Sequence, residues 1–447
     1  MADPTDPADG EAGPEPRALA RKCVQAGVDA ADPEQAVRDQ IAVDGDRLTV
    51  GDSEFDLAGY DRVLVAGGGK AAAAVARGLR SVLGDRVASG LVVTDGDTDG
   101  LERVDPESGA LPEGAVAVAV GDHPVPGERN VAAASRVVDL LEGADEGTLV
   151  LAPVTGGGSA LLAAPTVPLA EFRDLTEALV ESGADIGEIN AVRKRLSQVK
   201  GGGLAAAAAP ATVVALLVSD VVGDDPGVIA SGPFVADDTS AEAALAVLER
   251  YDIAAPESVR AAIREGGPGG DASDVHTHLL VRTRTAVDAA AERARAAGYD
   301  PLVLSSRMRG EAREAALAHV AVAEECLAEG DPAAPPAALL SGGEVTVTVR
   351  GDGSGGPNQE FALAAGLELS ERAVLASVDT DGRDGGTDVA GALVDVDTVD
   401  DPEAARDALA DNDSYPYLAE RDALLAVESA TNVNDLRVLL LSSDRPR

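Results

Sequence analysis

The sequence predicts an α/β protein made of two α/β domains flanking a linker, with helices covering the N-terminal sheet and a cleft between the domains. Three observations predict this. Short apolar runs alternate with amphipathic or Ala-rich stretches, the rhythm of strand–helix–strand units around a parallel sheet. The segment GGPGGDASD, residues 266–274, has linker composition and divides that rhythm in two. With 447 residues, 45% of them hydrophobic, the chain is long enough to bury more than one core.

Residues 1–16, acidic and Pro-rich, read as a frayed head without the basic-then-apolar plan of a signal peptide. The first domain, residues 17–268, opens on the helix RALARKCVQAGVDA. Strands follow at DRVLVA (61–66), GLVVT (90–94), AVAVAVG (115–121), TLVLAPV (148–154) and TVVALLVS (212–219). Helices fill the gaps, LAEFRDLTEALVESG among them. The second domain, residues 276–447, starts with strand LLVR (279–282), helix RTAVDAAAERARAAGY and strand PLVLS (301–305). A long helix around EAREAALAHVAVAEECLAEG leads into AALLSGGEVTVTVR, read as two strands around a turn. AVLASVD (373–379), an Ala-rich helix near 402–410 and the strand LRVLLL complete it.

Charge narrows the function classes. The 78 acidic residues outnumber 36 basic ones for a net charge of -42, so the surface repels nucleic acid and anionic membranes and neither is expected as a partner. Acid spread along the whole chain resembles proteins of salt-filled cytosols and predicts a need for ionic strength. No 18-residue apolar run occurs, which predicts a soluble protein. Cys23 and Cys326 lie far apart without metal-ligand spacing, and the four histidines show no zinc pattern, which fits a reducing cytoplasm.

Against this background lysine is scarce: only Lys22, Lys70, Lys194 and Lys200. Three of the four stand beside glycine-rich or cationic segments. In VLVAGGGKAAAAVARGL (63–79), a strand runs through Gly68, Gly69 and Lys70 into a helix, so glycine amides and a point charge can meet an anion at a helix N-terminus. The spacing is not that of a Walker A motif. In LVLAPVTGGGSALLAAP (149–165), Gly156, Gly157, Gly158 and Ser159 form a second turn of this kind. Ser159 lacks a GxSxG elbow and reads as an N-cap or anion ligand. His123, in GDHPVPGERN, is either a substrate-contacting group or a histidine satisfied within its loop.

The stretch NAVRKRLSQVKGGGLA concentrates positive charge. On a helix, Asn190, Arg193, Lys194 and Ser197 share one face, with Lys200 about one turn further on. That face can grip a polyanion, or it can be a solvated surface paired with nearby acids. Next, LLVSDVVGDDPGVIASGPFVADDTS sets Asp220 at a strand end and Asp224 and Asp225 in a turn, oxygens able to hold magnesium beside phosphate. Ser231 and Gly232 shape the loop that follows.

The ordered set GGGKA, GDHPVP, TGGGSALL, EINAVRKRLSQVKGGGLA, SDVVGDDPGVIASGP, SGGEVTVTVRG, GGPNQEFAL, DTDGRDGGTDVAGA and TNVNDL resembles the glycerate 2-kinase family, over residues 17 to 441. The resemblance implies a Rossmann-like N-terminal domain and a C-terminal domain of the MOFRL type, with the active site in the cleft between them. It implies transfer of phosphate from ATP, with Mg2+, to the 2-hydroxyl of D-glycerate, giving 2-phosphoglycerate, and it admits a homodimer. Lys70 and the helix at Gly157 would hold phosphoryl or carboxylate groups, while Arg193 and Lys200 would neutralise the transferring phosphate. Asp220, Asp225 or a carboxylate of the second domain would hold the metal. In that domain the matching motifs supply Glu344, Asn358, Gln359, Asn432 and Asn434 as binding candidates. Asp379, Asp381, Asp384 and Asp388 cluster around glycines, and one of them, Asp381 foremost, would take the hydroxyl proton.

Two departures stand out. Pro357 occupies the place of a family arginine, whose charge Arg193, Arg350 or Arg383 would have to supply, and ESATNVNDL lacks a Gly-Pro-Thr element. The rival readings are a hydroxypyruvate reductase and a non-catalytic binder of an anionic metabolite. A dinucleotide enzyme calls for GxGxxG with an acid about twenty residues on, whereas GGGKAAAA lacks the third glycine although Asp95 follows the next strand.

Overall fold

The computed structural model describes residues 15–96, 98–107, 110–266, 274–429 and 431–443. Helix α1 (Pro16–Ala30) is followed by α2 (Pro33–Gln40) and a small antiparallel sheet of β1 (Ile41–Asp44), β2 (Arg47–Val50) and β3 (Ser53–Asp56). Then come β4 (Arg62–Gly68), α3 (Ala72–Leu83), β5 (Val87–Thr94), β6 (Glu102–Arg103), β7 (Val116–Val120), α4 (Glu128–Glu142) and β8 (Thr148–Thr155). The short α5 (Gly158–Leu161) leads to α6 (Leu169–Glu181), α7 (Ile186–Arg195), α8 (Gly203–Ala208) and β9 (Thr212–Val218). Helices α9 (Ala241–Arg250) and α10 (Glu257–Glu265) precede β10 (Val275–Val281).

The remaining elements are α11 (Thr283–Arg295), β11 (Asp300–Met308), α12 (Ala312–Glu329), β12 (Ala337–Gly343), α13 (Pro357–Gly366), β13 (Ala373–Asp379), β14 (Gly391–Asp395), α14 (Pro402–Ala410), α15 (Ser414–Ala419), β15 (Leu424–Leu425) and β16 (Asp435–Leu441). No helix among the described residues is long and apolar enough to cross a membrane.

The chain divides into two compact units. One holds residues 31–282 and 431–433. Its main sheet is seven-stranded and parallel throughout, in the order β10-β9-β8-β4-β5-β7-β6. Both faces are covered, and strands such as β8, buried at every position, read as unbroken apolar runs for that reason. From β4 the chain winds outward through β5 and β7, then returns to place β8 on the other side of β4. The reversal makes the carboxyl ends of β4 and β8 a topological switch point, where open α/β sheets bind ligands. A separate apolar cluster of α6, α7, α9 and α10, including Phe172, Leu175, Ile189, Val192, Leu248 and Ile263, fixes α7.

The other unit holds α1 with residues 283–429 and 434–443. Its six-stranded mixed sheet runs β11-β12-β16-β13-β14-β15, with only the β11–β12 pair parallel. Two sequence expectations about the domains change here. Helix α1, expected in the first domain, lies in this unit, where a Cβ on Gly27 would stand 2.8 Å from the Ala286 carbonyl of α11. LLVR, expected in the second domain, lies in β10 and extends the parallel sheet by pairing with β9, so the division falls at 282/283 and not in the glycine-rich stretch. Residues 267–273 of that stretch lie outside the described residues.

EVTVTVR alternates like a strand but forms none beyond an isolated bridge from Thr346 to Glu311. Side chains satisfy its backbone instead: Glu311 accepts from Thr348 N at 3.2 Å and Asn412 from Arg350 N at 2.7 Å. Period-2 patterning by itself does not pair a segment into a sheet.

Candidate active site

The site is built at the carboxyl ends of β4, β8 and β9. After β4 the turn locks onto its neighbours: Gly69 N donates to Val93 O at 3.0 Å, Lys70 N to Gly156 O at 2.8 Å and Ala71 N to Thr155 Oγ1 at 3.1 Å. These three amides are therefore spent inside the fold. Gly68 and Gly69 pack closely, a Cβ on Gly68 standing 2.9 Å from Leu162 and one on Gly69 2.2 Å from Thr155 Oγ1, while the Lys70 side chain extends from the turn. Along the second turn no partner engages the amides of Gly157, Gly158 or Ser159 among the described residues.

Two glycines show what surrounds that turn. A Cβ on Gly157, whose φ is +76°, would lie 2.9 Å from Lys70 Cγ and 3.2 Å from His123 Nε2. A Cβ on Gly156 would lie 2.0 Å from Asp220 Oδ2. Lys70, His123, Asp220 and the Gly156–Gly157 backbone thus converge. Burial, and then the Lys70 charge, push His123 below the usual imidazole range, with Asp95 acting against them. Burial raises the Asp220 carboxyl, and Lys70 opposes that shift.

The cationic stretch splits in two. Helix α7 starts on a capping box, in which Asp185 accepts from Glu188 N at 2.9 Å and Glu188 from Asp185 N at 3.1 Å. Its apolar residues Ile189, Val192 and Leu196 enter the helical cluster, while Arg193 Nη2 reaches Ser159 O at 3.3 Å. Lys194 turns away to an ion pair with Asp237 at 2.9 Å, and Arg195 to the Ile263 carbonyl at 3.1 Å. Ser197 lies beyond the helix end, not on its face as the heptad-like spacing suggests. Its hydroxyl accepts from Val199 N and Lys200 N, each at 3.3 Å, and this turn carries Lys200 inward.

Lys200 is 1% exposed, and its Nζ donates to Ser159 O at 2.6 Å. Burial, with the Arg193 charge second, holds its ammonium well below the usual lysine range. Neither Arg193 nor Lys200 makes an ion pair among the described residues, and Arg193 Nε is buried without a partner there. Two cations on one carbonyl oxygen lack a counter-anion.

The opposite wall is a left-handed run, Ala230, Ser231 and Gly232, with φ of 51°, 63° and 65°. Such backbone costs about 1–3 kcal/mol per non-glycine residue and persists only where its surroundings fix it. Here they do. Gly201 N donates to Ser231 O at 3.1 Å and Gly202 N to Gly232 O at 2.8 Å. Gly201 and Gly202 meet them in left-handed conformations of their own. The Ser231 hydroxyl donates to Asn190 Oδ1 at 3.1 Å and lies 2.6 Å from the Ser159 hydroxyl, so Ser159, Asn190, Ser231, Arg193 and Lys200 form one cluster.

Asp225 is exposed, and its Oδ1 accepts from Gly227 N at 2.8 Å. Among the described residues no group of three or more His, Cys, Asp or Glu side chains has metal-holding geometry.

In the unit containing α13, Asn358 and Gln359 lie in the first turn of that helix, with Asp384 beside them. Asp384 accepts from Asn358 N at 2.9 Å and Gln359 N at 2.8 Å, a remote N-cap. Asn358 Nδ2 also donates to Asp435 at 2.7 Å and its Oδ1 accepts from Ser377 at 2.7 Å, so its amide is fully engaged within the fold. Gln359 Nε2 donates to Thr387 at 2.7 Å while its Oε1 is buried without a partner among the described residues. Pro357 is the first residue of the helix, where a missing N–H costs nothing. Asp381 Oδ1 accepts from Arg383 N at 2.8 Å, and Asp379 Oδ1 from Asp381 N at 3.0 Å. Burial, reinforced by Asp381, pushes the Asp379 carboxyl up to about 8; burial raises Asp384 to about 6. Glu344 is exposed just past β12, and Asn434 carries φ of 66° with its carbonyl accepting from Thr380 Oγ1 at 2.7 Å; Asn432 belongs to residues 431–433 of the other unit.

Sequence reasoning missed Arg437. Arg437 is fully buried in β16, stacked 4.6 Å over Phe361 and hydrogen-bonded to Asp435. An arginine inside the apolar run LRVLLL was the available signal.

Comparison with known proteins agrees with this architecture. Residues 19–264 match the domain of unknown function DUF4147, and residues 337–435 match the MOFRL family. The chain is 39% identical over 437 residues to the D-glycerate 2-kinase of Thermotoga maritima, covering 95% of this chain and 98% of that protein. A Thermotoga maritima glycerate kinase crystal structure superposes with a TM-score of 0.83 at 38% identity, covering 95% of this chain and 99% of that one. An Agrobacterium vitis protein bearing a provisional hydroxypyruvate reductase name is 40% identical over 393 residues, 85% of this chain and 87% of its own.

Proposed function

The chain belongs to the glycerate 2-kinase family, and on that premise we propose that it transfers the terminal phosphate of ATP to the 2-hydroxyl of D-glycerate, giving 2-phosphoglycerate and ADP. One observation carries the reading: Arg193 and Lys200 donate to the same carbonyl oxygen at a switch point, without an ion-pair partner among the described residues. Phosphoryl transfer asks mainly for positioning and charge stabilisation, and an uncompensated buried cation pair supplies the second. Lys70 extends the positive field beside His123, and the open amides at Gly157 to Ser159 add donors.

Magnesium fits one side chain of this set. Asp220, packed against Gly156, would hold the ion; Asp225 is already engaged by Gly227 and serves its turn. When bound, the metal neutralises phosphate oxygens. Asp381 is our candidate to accept the hydroxyl proton. The acidic composition supports a salt requirement, which activity measured as ionic strength approaches zero would test.

The reductase reading loses its anchor in the β4 turn. A dinucleotide pyrophosphate needs free amides there, and those of Gly69, Lys70 and Ala71 are spent. Two assays decide: ADP release with D-glycerate, followed by phosphorus NMR to separate 2- from 3-phosphoglycerate, and NADH absorbance with hydroxypyruvate. Oxidation of NADH without glycerate-dependent ADP release would overturn the proposal.

A further inference from the structure

Beside the cation cluster lies a cavity of about 770 Å³, walled by Pro124, Val125 and Pro126 on one side and by Phe172, Thr176 and Val180 of α6 on the other. Ala160 and Arg193 also line it, so it is continuous with the Ser159 site. The buried, unpartnered Arg193 Nε stands at this junction. Asp174, Glu177 and Glu181 outnumber Arg173 along the remainder of the lining. Val125 and Val180 are 59% and 61% exposed, two large apolar side chains left in water on facing walls.

We propose that this cavity holds the nucleoside end of the nucleotide, with the phosphates directed to Arg193 and Lys200. The inference rests on the kinase reading above and adds to it where the base lies. Size excludes the acceptor as occupant, since the cavity falls in the range of about 300–1,000 Å³ that takes whole cofactors, and a three-carbon acid would leave it mostly empty. Charge gives the direction. The acidic lining repels phosphate and carboxylate but accepts a neutral nucleoside, whereas the Arg193 end attracts phosphate. Prolines, valines and Phe172 offer flat apolar surface to a base. Thr176 Oγ1 donates to Phe172 O at 2.8 Å, leaving its lone pairs to accept from a ribose hydroxyl or an exocyclic amine.

The test uses the full chain and titration calorimetry with two separate probes, adenosine and tripolyphosphate. Val180→Asp and Val125→Asp each place a charge on an exposed wall, so folding is spared in at least one of them. Adenosine affinity is expected to fall about tenfold or more in both variants, with tripolyphosphate affinity held within about threefold at high salt. The KM for ATP should rise by a similar factor while that for D-glycerate stays within about twofold. Adenosine that fails to bind the unmodified protein, or binds both variants equally well, overturns the inference. If adenosine binding behaves as expected but ADP release never depends on glycerate, the kinase reading falls and the nucleoside site stands. If ADP release is normal and both variants keep the original KM for ATP, the nucleoside site falls and the kinase reading stands.

Discussion

Lys200 Nζ donates to the backbone oxygen of Ser159 at 2.6 Å across 41 residues of sequence, and no acid answers its charge among the described residues. Replacing it tests that charge. Lys200→Met should lower kcat/KM about a hundredfold or more, the cost of removing one charge-stabilising donor. Its melting temperature should hold or rise, because an apolar side chain of similar shape escapes the desolvation of a buried ammonium. Burial holds the Lys200 ammonium well below the usual lysine range, and a bound anion works against that shift. Tripolyphosphate titrations of Lys200→Met beside the unmodified protein read the charge directly; equal affinity would count against it.

Adjacent residues of one helix should separate function from stability. Arg193→Met should cost turnover, whereas Lys194→Met should leave turnover near normal and destabilise the fold by about 1 kcal/mol, since Asp237 then loses its half-buried ion-pair partner. Urea unfolding and ADP-release kinetics on the pair check this. Equal kinetic losses would show that the stretch acts as one surface.

Lys70→Ala should reduce kcat by about a hundredfold if its charge steadies the transferring group. An unchanged rate would return this lysine to packing against Gly157.

The Asp379 carboxyl is raised from 3.8 to about 8. Between those values the folded state binds more protons than the unfolded chain, so stability falls as pH rises through the window. Asp379→Asn removes that term, and its melting temperature should gain on the unmodified protein between about pH 4 and about pH 8. Parallel curves would show that Asp379 ionises normally.

Pro357→Arg should fold with a loss below about 1 kcal/mol, because the first helical residue needs no N–H partner and Asp384 caps the next two amides. Turnover should be unchanged or improved. Loss of folding would mean that the loop has been rebuilt around proline.

Much of this was legible in the residues themselves. Strands β4, β5, β7, β8 and β9 announce themselves because parallel strands covered on both faces need continuous apolar runs. The scarcity of lysine singled out Lys70 and Lys200, and glycine runs marked turns whose backbone only glycine adopts easily. Spacing, however, could not tell Arg193 from Lys194, which differ only in what packs beside them. Nor could it show that the Gly69 and Lys70 amides are spent on Val93 and Gly156, or that EVTVTVR makes only an isolated bridge. Composition and periodicity record each residue's own preference for water or apolar surroundings. Which donor meets which acceptor depends on segments 40 or more residues apart closing on one another, as Ser159 and Lys200 do, and only the folded chain decides that.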